Sequence, residues 1–526
     1  MFKEALYYTR MAGYFGRYVK LPLVPDPEAA LRGNLERRAA NFLELMRTGI
    51  FSNPQTPYFE LMRLAGCTFE DLRESIGKHG LEATLEHLRG EGVYLTHDEV
   101  KGKAVERQRK VIANHASATA NPASPGGIEA VSSGSRGQGL ATPASNAYRN
   151  YRECYEVLAR EELGARGRVC GVLNGVLPGP AGLLAAAGFA KCGQPAERWY
   201  AVGKSMRANG PYALVTSAMV SEARLLNCLV PYPTYLGKDD FTPVAQWIAD
   251  NKRKGRLTFL RSGVSSATRV CAAAMDAGLD VQGTIFFASG EAMTPARRRV
   301  LEAAGAHGYS RYVISEMGTV GMACSHLKGN AVHLFTDVTA VIGHRRPAPF
   351  VDTEVNSLLF TSLHPEASRI FINAEMEDTA EFAPASCDCV FSRIGFRTIL
   401  QDVYSFGKLS GHGMTLAGDA LLRIIEERLP ARFGGGPTDY QLVELEGKAQ
   451  LEMRLRVSPR LGAVNSAEVH GFFLEQVRAL YGGALSARTW EATSSICVEI
   501  AEPYRTSTGK VHALHLSTYG ARNGRH

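Results

Sequence analysis

Apolar residues recur at intervals of three and four over Leu31–Met46 and Phe69–Leu88, which predicts amphipathic helices broken at Asn53-Pro54 and Pro57. Residues 1–110 therefore predict a helical lead-in packed on a larger body. From Tyr148 to about Tyr404 the pattern changes, and short apolar runs alternate with helical ones. Val169–Leu177, Ala213–Ser217, Leu257–Arg261 and Thr284–Ala288 predict strands, while Phe241–Asn251, Ser265–Ala277 and Thr294–Ala304 predict helices. That alternation is the signature of an α/β fold with a largely parallel sheet, here assigned to residues 111–405. After Lys408 the character shifts again. A helix over Ala417–Arg428, alternating strands over Tyr440–Glu446 and Ala449–Val457 across a Gly-Lys turn, and a helix over Ser466–Leu480 predict a small, mobile α+β domain over 406–526.

The 526-residue length agrees with two or three domains. A 45% hydrophobic and 21% charged composition is that of a globular protein with a large core. No run approaches the roughly 18 apolar residues of a membrane span, and Met1–Lys20 has no apolar signal-peptide core. A cytoplasmic protein without membrane partners is expected. The net charge of +7 is spread over short clusters, Lys252-Arg253-Lys254 with Arg256, Arg297-Arg298-Arg299 and Arg345-Arg346. These read as solvated surface, and the absence of a continuous basic face with aromatic interleaving argues against nucleic acid. The ten cysteines are scattered except for Cys387-Asp388-Cys389, and read as reduced thiols.

Three motifs carry candidate chemistry. Ser132-Ser133-Gly134-Ser135-Arg136-Gly137-Gln138-Gly139 lies in a stretch rich in Ala, Ser, Gly, Asn and Pro, so a loop is expected. Such a loop offers N–H groups and hydroxyls to phosphate oxygens without side-chain obstruction. Tyr312-Val313-Ile314-Ser315-Glu316 places a carboxylate, a hard ligand suited to magnesium, at a predicted strand end. Thr508-Gly509-Lys510 places a cation near the end of the small domain.

Taken together the motifs resemble those of the adenylate-forming (AMP-binding) ligases, closest to the phenylacetate–CoA ligase and acyl-protein synthetase-like branch, over residues 110–515. Ser132 to Gly137 resembles the family's Ser-Ser-Gly-Thr-Thr-Gly loop, with serine and arginine for the two threonines. Ala288-Ser289-Gly290-Glu291-Ala292-Met293-Thr294 resembles the turn beside the adenine, and Tyr312–Glu316 resembles Tyr-Gly-x-Ser-Glu, with valine for glycine. The resemblance implies a large multi-layer adenylation domain and a mobile C-terminal domain. It implies that ATP and Mg2+ activate a carboxylic acid, aryl or apolar, as an acyl-adenylate with loss of pyrophosphate. The acyl group then passes to coenzyme A or a carrier-protein thiol. An amine acceptor, or a degenerate accessory protein of the same fold, is the alternative, and a homodimer stays open. Lys510, Glu316 and Arg136 take catalytic roles by this resemblance. Ser132, Ser133, Gly134, Ser135, Gly137, Ser289, Gly290, Glu291, Tyr312, Ser315, Asp378 and Lys408 contact nucleotide, Asp378 at the ribose. The family's arginines before the aspartate are replaced by Asn373-Ala374-Glu375-Met376-Glu377, and its Gly-Arg-x-Asp-Asp hinge by Gly407-Lys408-Leu409-Ser410-Gly411. Asn174–Phe189 resembles the loop that receives the acid.

Cys387-x-Cys389 resembles the Cys-Pro-Cys segment of the same branch, where an upstream cysteine and histidine complete a zinc site. Cys324 and His333 match those positions, with His326 as a competitor, and three thiolates with one imidazole suit a closed structural Zn2+. Acyl transfer through the protein's own thiol would fall to Cys497, which sits in an apolar run.

Overall fold

The computed structural model describes residues 2–124, 126–131, 141–202, 206–237, 240–347, 354–405, 418–446, 452–479, 496–506 and 509–518. The phosphate-loop candidates Ser132, Ser133, Gly134, Ser135, Arg136 and Gly137 lie outside these residues, as does Lys408.

A twelve-stranded mixed sheet organises the fold. Six strands run parallel, in the spatial order Pro233–Tyr235, Arg198–Ala201, Val169–Leu173, Thr258–Gly263, Ile285–Ser289 and His307–Ile314. Their apolar residues alternate between two packed faces. Phe259, Ile285 and Phe287 join one core with helices Asn146–Glu162 and Ala181–Lys191. Leu260 and Phe286 join another with helices Thr242–Arg253, Val264–Asp276 and Pro295–Ala303. Burial on both faces is why these strands read as continuous apolar runs.

The expectation of a largely parallel sheet needs correction. Beyond His307–Ile314 the sheet continues antiparallel through Gly318–Met322, Val332–Leu334, Thr398–Ser405, Ala374–Pro384, Glu354–Ser362 and Thr339–Pro347. Ala213–Ser217 also differs from expectation, lying inside the helix Met206–Leu225. Ala213, Thr216, Val220 and Ala223 are buried at helical spacing while Leu214 is exposed, and the Thr216 hydroxyl donates to the Tyr212 carbonyl one turn back. Helical periodicity there prevails over the local β-propensity of Val-Thr.

The N-terminal region is helical as predicted, with Phe69–His79 and Leu81–Gly90 divided at Gly80. Helices Arg38–Met46, Pro57–Leu64, Phe69–His79 and Leu81–Gly90 share a core with Ile342 and Leu359 of the antiparallel strands. The C-terminal unit has its own four-stranded sheet, ordered Ile496–Ile500, Glu452–Val457, Tyr440–Glu446 and Leu514–Thr518. Its core joins Leu442 and Leu455 to Ile425, Leu429 and Phe473 of helical segments. The chain is thus mixed α/β with a smaller α+β C-terminal unit. Among the described residues, no helix is long and apolar enough to cross a membrane.

Candidate functional site

The sheet changes from parallel to antiparallel at a tight connection. Strand His307–Ile314 turns through Ser315, Glu316 and Met317 into Gly318–Met322, with a register shift at Tyr312/Val313. Ser289 ends the neighbouring parallel strand, and Gly290-Glu291 follows it. A pocket opens at these strand ends, where a switch in strand direction leaves a crevice. It is lined by Gly290, Glu291, Tyr312, Ser315, Glu316, Asp378 and Lys510, all of which the sequence nominated.

Lys510 reaches the pocket from the C-terminal unit. A turn presents it: Gly509 N–H donates to the Thr506 carbonyl (2.9 Å) and Thr506 N–H to the Lys510 carbonyl (3.0 Å). Gly509 holds φ at +82°, and a Cβ there would lie 2.5 Å from Val202 Cγ1. The lysine side chain then crosses over Gly290, where a Cβ would lie 2.6 Å from Lys510 Cε. Gly290 holds φ at +89°, a backbone conformation that favours glycine.

The remaining walls divide by whether their polar groups are engaged. The Tyr312 hydroxyl donates to Asp378 Oδ2 at 2.7 Å, and burial together with the Asp378 carboxylate pushes that hydroxyl well above its ordinary pKa. It therefore stays a donor. Asp378 lies on strand Ala374–Pro384, paired with Ser405. Beside it Glu377, at φ +59°, meets His97 Nδ1 at 3.2 Å. Glu316 is half-buried, and among the described residues its carboxylate makes no hydrogen bond. Asn330, which sequence reading missed, lines the same pocket and is 7% exposed. Among the described residues, neither atom of its amide has a hydrogen-bond partner.

Glu291 behaves differently from the other nominated residues. Its carboxylate accepts from Ser265 N–H (2.9 Å), Ser265 Oγ (2.6 Å) and Val511 N–H (3.1 Å), and pairs with Arg297 at 3.3 Å. Burial raises its pKa, but Arg297 outweighs this and holds the group below the ordinary carboxylate range. The side chain is spent on protein partners, and its backbone remains on the pocket wall. Ser289 Oγ faces Arg311 at 3.4 Å. Arg297 belongs to an arginine run whose composition predicts solvated surface, yet it is 3% exposed and also meets Glu426 of the C-terminal unit at 3.0 Å.

The Asn174–Phe189 segment does not line this pocket. Leu177, Leu183 and Phe189 are buried in the core, and the Asn174 amide donates to the Arg261 carbonyl at 3.3 Å. Cys497 lies on strand Ile496–Ile500, away from the pocket lining.

A second cluster unites Cys324, His333, Cys387 and Cys389, whose ligand atoms all lie within 4.8 Å of one another. Cys324 and Cys387 are 3.8 Å apart, Cys387 and Cys389 3.7 Å, and His333 Nε2 is 3.4 and 3.2 Å from Cys387 and Cys389. Tetrahedral zinc bonds of about 2.3 Å to sulfur and about 2.0 Å to nitrogen require edges of roughly 3.5 to 3.8 Å, so the donor set fits that ion. His333 Nδ1 lies 2.8 Å from the Phe396 carbonyl, a contact that leaves Nε2 as the ligand atom. Hydrogen bonds from Cys324 and His333 hold the Cys389 thiol far below its ordinary pKa. His326 is not in the cluster.

No known family profile and no curated protein sequence matches the chain. Solved structures do resemble it. 2-Hydroxyisobutyryl-CoA ligase, in its postadenylation state with R3-HIB-AMP, aligns over 95% of this chain and 91% of its own, at 16% identity and a TM-score of 0.48. The anthranilate CoA ligase AuaEII, in complex with anthranoyl-AMP, aligns over 73% and 65% at 10% identity and a TM-score of 0.39. O-succinylbenzoate coenzyme A synthetase from Bacillus subtilis, in complex with ATP and magnesium, aligns over 73% and 68% at 9% identity and a TM-score of 0.38.

Proposed function

We propose that the protein is an ATP- and magnesium-dependent ligase that activates a carboxylic acid as its acyl-adenylate and passes the acyl group to a thiol. The observation that carries this reading is the convergence of Lys510, from the small C-terminal unit, with Glu316, Tyr312 and Asp378 in one pocket. Joining a carboxylate to a nucleotide brings two anions together, so the site needs a cation at the reacting atoms and fixed geometry. The carboxylate oxygen forms a bond to the α-phosphorus, and the bond to pyrophosphate breaks. Lys510 neutralises charge on the attacking carboxylate and the α-phosphate. Asp378, held by the Tyr312 hydroxyl, accepts from the ribose hydroxyls. Asn330 offers one donor and one acceptor to the edge of an adenine, the pairing that suits an amide. Ser289, Gly290 and the backbone of Glu291 flank the nucleotide. Ser132, Ser133, Gly134, Ser135 and Gly137 hold the β- and γ-phosphates with Arg136, and Lys408 makes a further ribose or phosphate contact.

Magnesium, held through Glu316, would neutralise phosphate charge. Zinc, held by Cys324, His333, Cys387 and Cys389, would act structurally, tying the Gly318–Leu334 hairpin to the segment before helix Val390–Ile394. In the second half-reaction a thiol attacks the acyl carbon and AMP leaves. Coenzyme A is the proposed acceptor, ahead of a carrier-protein thiol and an amine. The acid is proposed to be aryl or apolar and the enzyme cytoplasmic, with domain boundaries near residues 110 and 405.

The test is ATP–pyrophosphate exchange across aryl, aliphatic, hydroxy and dicarboxylic acids, followed by thioester formation with coenzyme A. Acid-dependent exchange is expected. Nucleotide turnover independent of any acid would count against the reading.

A further inference from the structure

Val511, the residue after Lys510, is gripped through its backbone from both sides. Its N–H donates to Ser265 Oγ (3.2 Å) and Glu291 Oε1 (3.1 Å), and its carbonyl accepts from Arg297 Nη2 (2.9 Å). Arg297 is itself held between Glu291 (3.3 Å) and Glu426 (3.0 Å), and Thr294 Oγ1 donates to the second oxygen of Glu426 at 2.5 Å. The side chains of Arg297, Glu291 and Glu426 are 4%, 3% and 2% exposed. Glu291 and Arg297 belong to the large body, whereas Glu426 and Val511 belong to the C-terminal unit.

We propose that Arg297 is a positioning residue for the first half-reaction, acting with Glu291 and Glu426 as a buried clamp that fixes the C-terminal unit with Lys510 over Gly290. The proposal rests on the reading of Lys510 given above. Peptide groups along an extended chain advance about 3.3 Å per residue. Gripping both the N–H and the carbonyl of Val511 therefore sets where Lys510 falls to within one residue. Other pairs between the two units are partly exposed, such as Arg460 with Asp276 and Arg299 with Glu427, and ion pairs in solvent hold little. The buried pair is geometry-specific. Parting it strands charges that burial penalises, so the clamp favours a fully seated unit over a partly displaced one. Lys510 seated in this way acts on the attacking carboxylate and the α-phosphate, the reacting groups of the first half-reaction. Arg297 therefore serves adenylation and not transfer.

Arg298, next in the run, is 33% exposed, pairs with Glu302 one turn along its own helix, and supplies a matched control. The experiment measures both half-reactions in Arg297→Met, Glu426→Gln, Arg298→Met and Lys510→Ala. It uses the acid that gives the fastest wild-type exchange and its synthetic adenylate with coenzyme A. Arg297→Met and Glu426→Gln should lower ATP–pyrophosphate exchange about tenfold or more while transfer from the supplied adenylate persists. Hydrogen exchange at the Val511 amide should quicken in both, and Arg298→Met should change neither reading. If Arg297→Met does not fold, Glu426→Gln decides, because it keeps the side chain's shape while removing its charge and one of its two acceptor oxygens. Unchanged exchange in the clamp variants, with exchange abolished in Lys510→Ala, would overturn the clamp and leave the proposed function standing. Parallel loss of both half-reactions in a folded clamp variant would also overturn it. Exchange unaffected in Lys510→Ala would overturn the reading of Lys510 and the clamp with it.

Discussion

Glu291 and Glu316 follow neighbouring strands of one sheet and line one pocket, yet their surroundings are opposite. Every side of the Glu291 carboxylate is occupied by Ser265, Val511 and Arg297. Among the described residues the Glu316 carboxylate makes no hydrogen bond, and the Asn330 amide in the same pocket makes none either. A buried polar group such as the Asn330 amide costs about 1–3 kcal/mol when left without a partner, and a ligand that completes it removes that cost. The contrast teaches which carboxylate builds the site and which one serves it. Residue type and position on a motif do not separate the two.

The comparison can be broken at its functional side. Lys510→Ala removes the cation that lies over Gly290 in the pocket, and pyrophosphate exchange should fall about 10³-fold, or about 4 kcal/mol. Transfer from a supplied acyl-adenylate should be largely kept. Equal loss of both half-reactions in a folded protein would show that Lys510 does not act in adenylation alone.

The Cys324–His333–Cys387–Cys389 cluster offers a structural reference outside the pocket. Purified protein should carry about one equivalent of zinc. Cys389→Ser should lower zinc content and reduce Tm by about 5–10 °C, because metal binding contributes to folding. Stable, metal-free wild-type protein would refute the zinc assignment.

Glu316→Gln should lower adenylation about 10²-fold, or about 2.7 kcal/mol, with a raised magnesium requirement. Wild-type rates at limiting magnesium would place the metal elsewhere. The smallest effect falls on Asn330→Ala, which should raise the KM for ATP about tenfold with little change in kcat and weaken preference for ATP over GTP. Unchanged nucleotide selectivity would remove Asn330 from base recognition.

Much of this arrangement was legible in the chain. Tyr312, Ser315, Glu316 and Lys510 lie in short motifs whose residue types fit phosphate and metal chemistry, and Asp378 was placed by its position alone. The strands Thr258–Gly263, Ile285–Ser289 and Tyr440–Glu446 announce themselves by apolar content or alternation. What stayed hidden depends on long-range packing. Arg297 looks like its exposed neighbours until Glu426, distant in sequence, closes over it. Asn330 carries no periodic signal. The antiparallel half of the sheet was unreadable because strand direction follows from connections and not from local pattern. Cys324, His333, Cys387 and Cys389 were legible as a set only through the family resemblance, since no single spacing among them marks a metal site.

The central claim is that the bond broken in ATP lies between the α- and β-phosphates. It is tested most directly by mass spectrometry of products from wild-type protein, Mg-ATP and the best acid in the absence of thiol, with the acid carboxylate labelled with 18O. The account predicts pyrophosphate, a protein-bound acyl-AMP, and 18O in the AMP released when hydroxylamine cleaves that adenylate. ADP with inorganic phosphate, or AMP free of label, would contradict it.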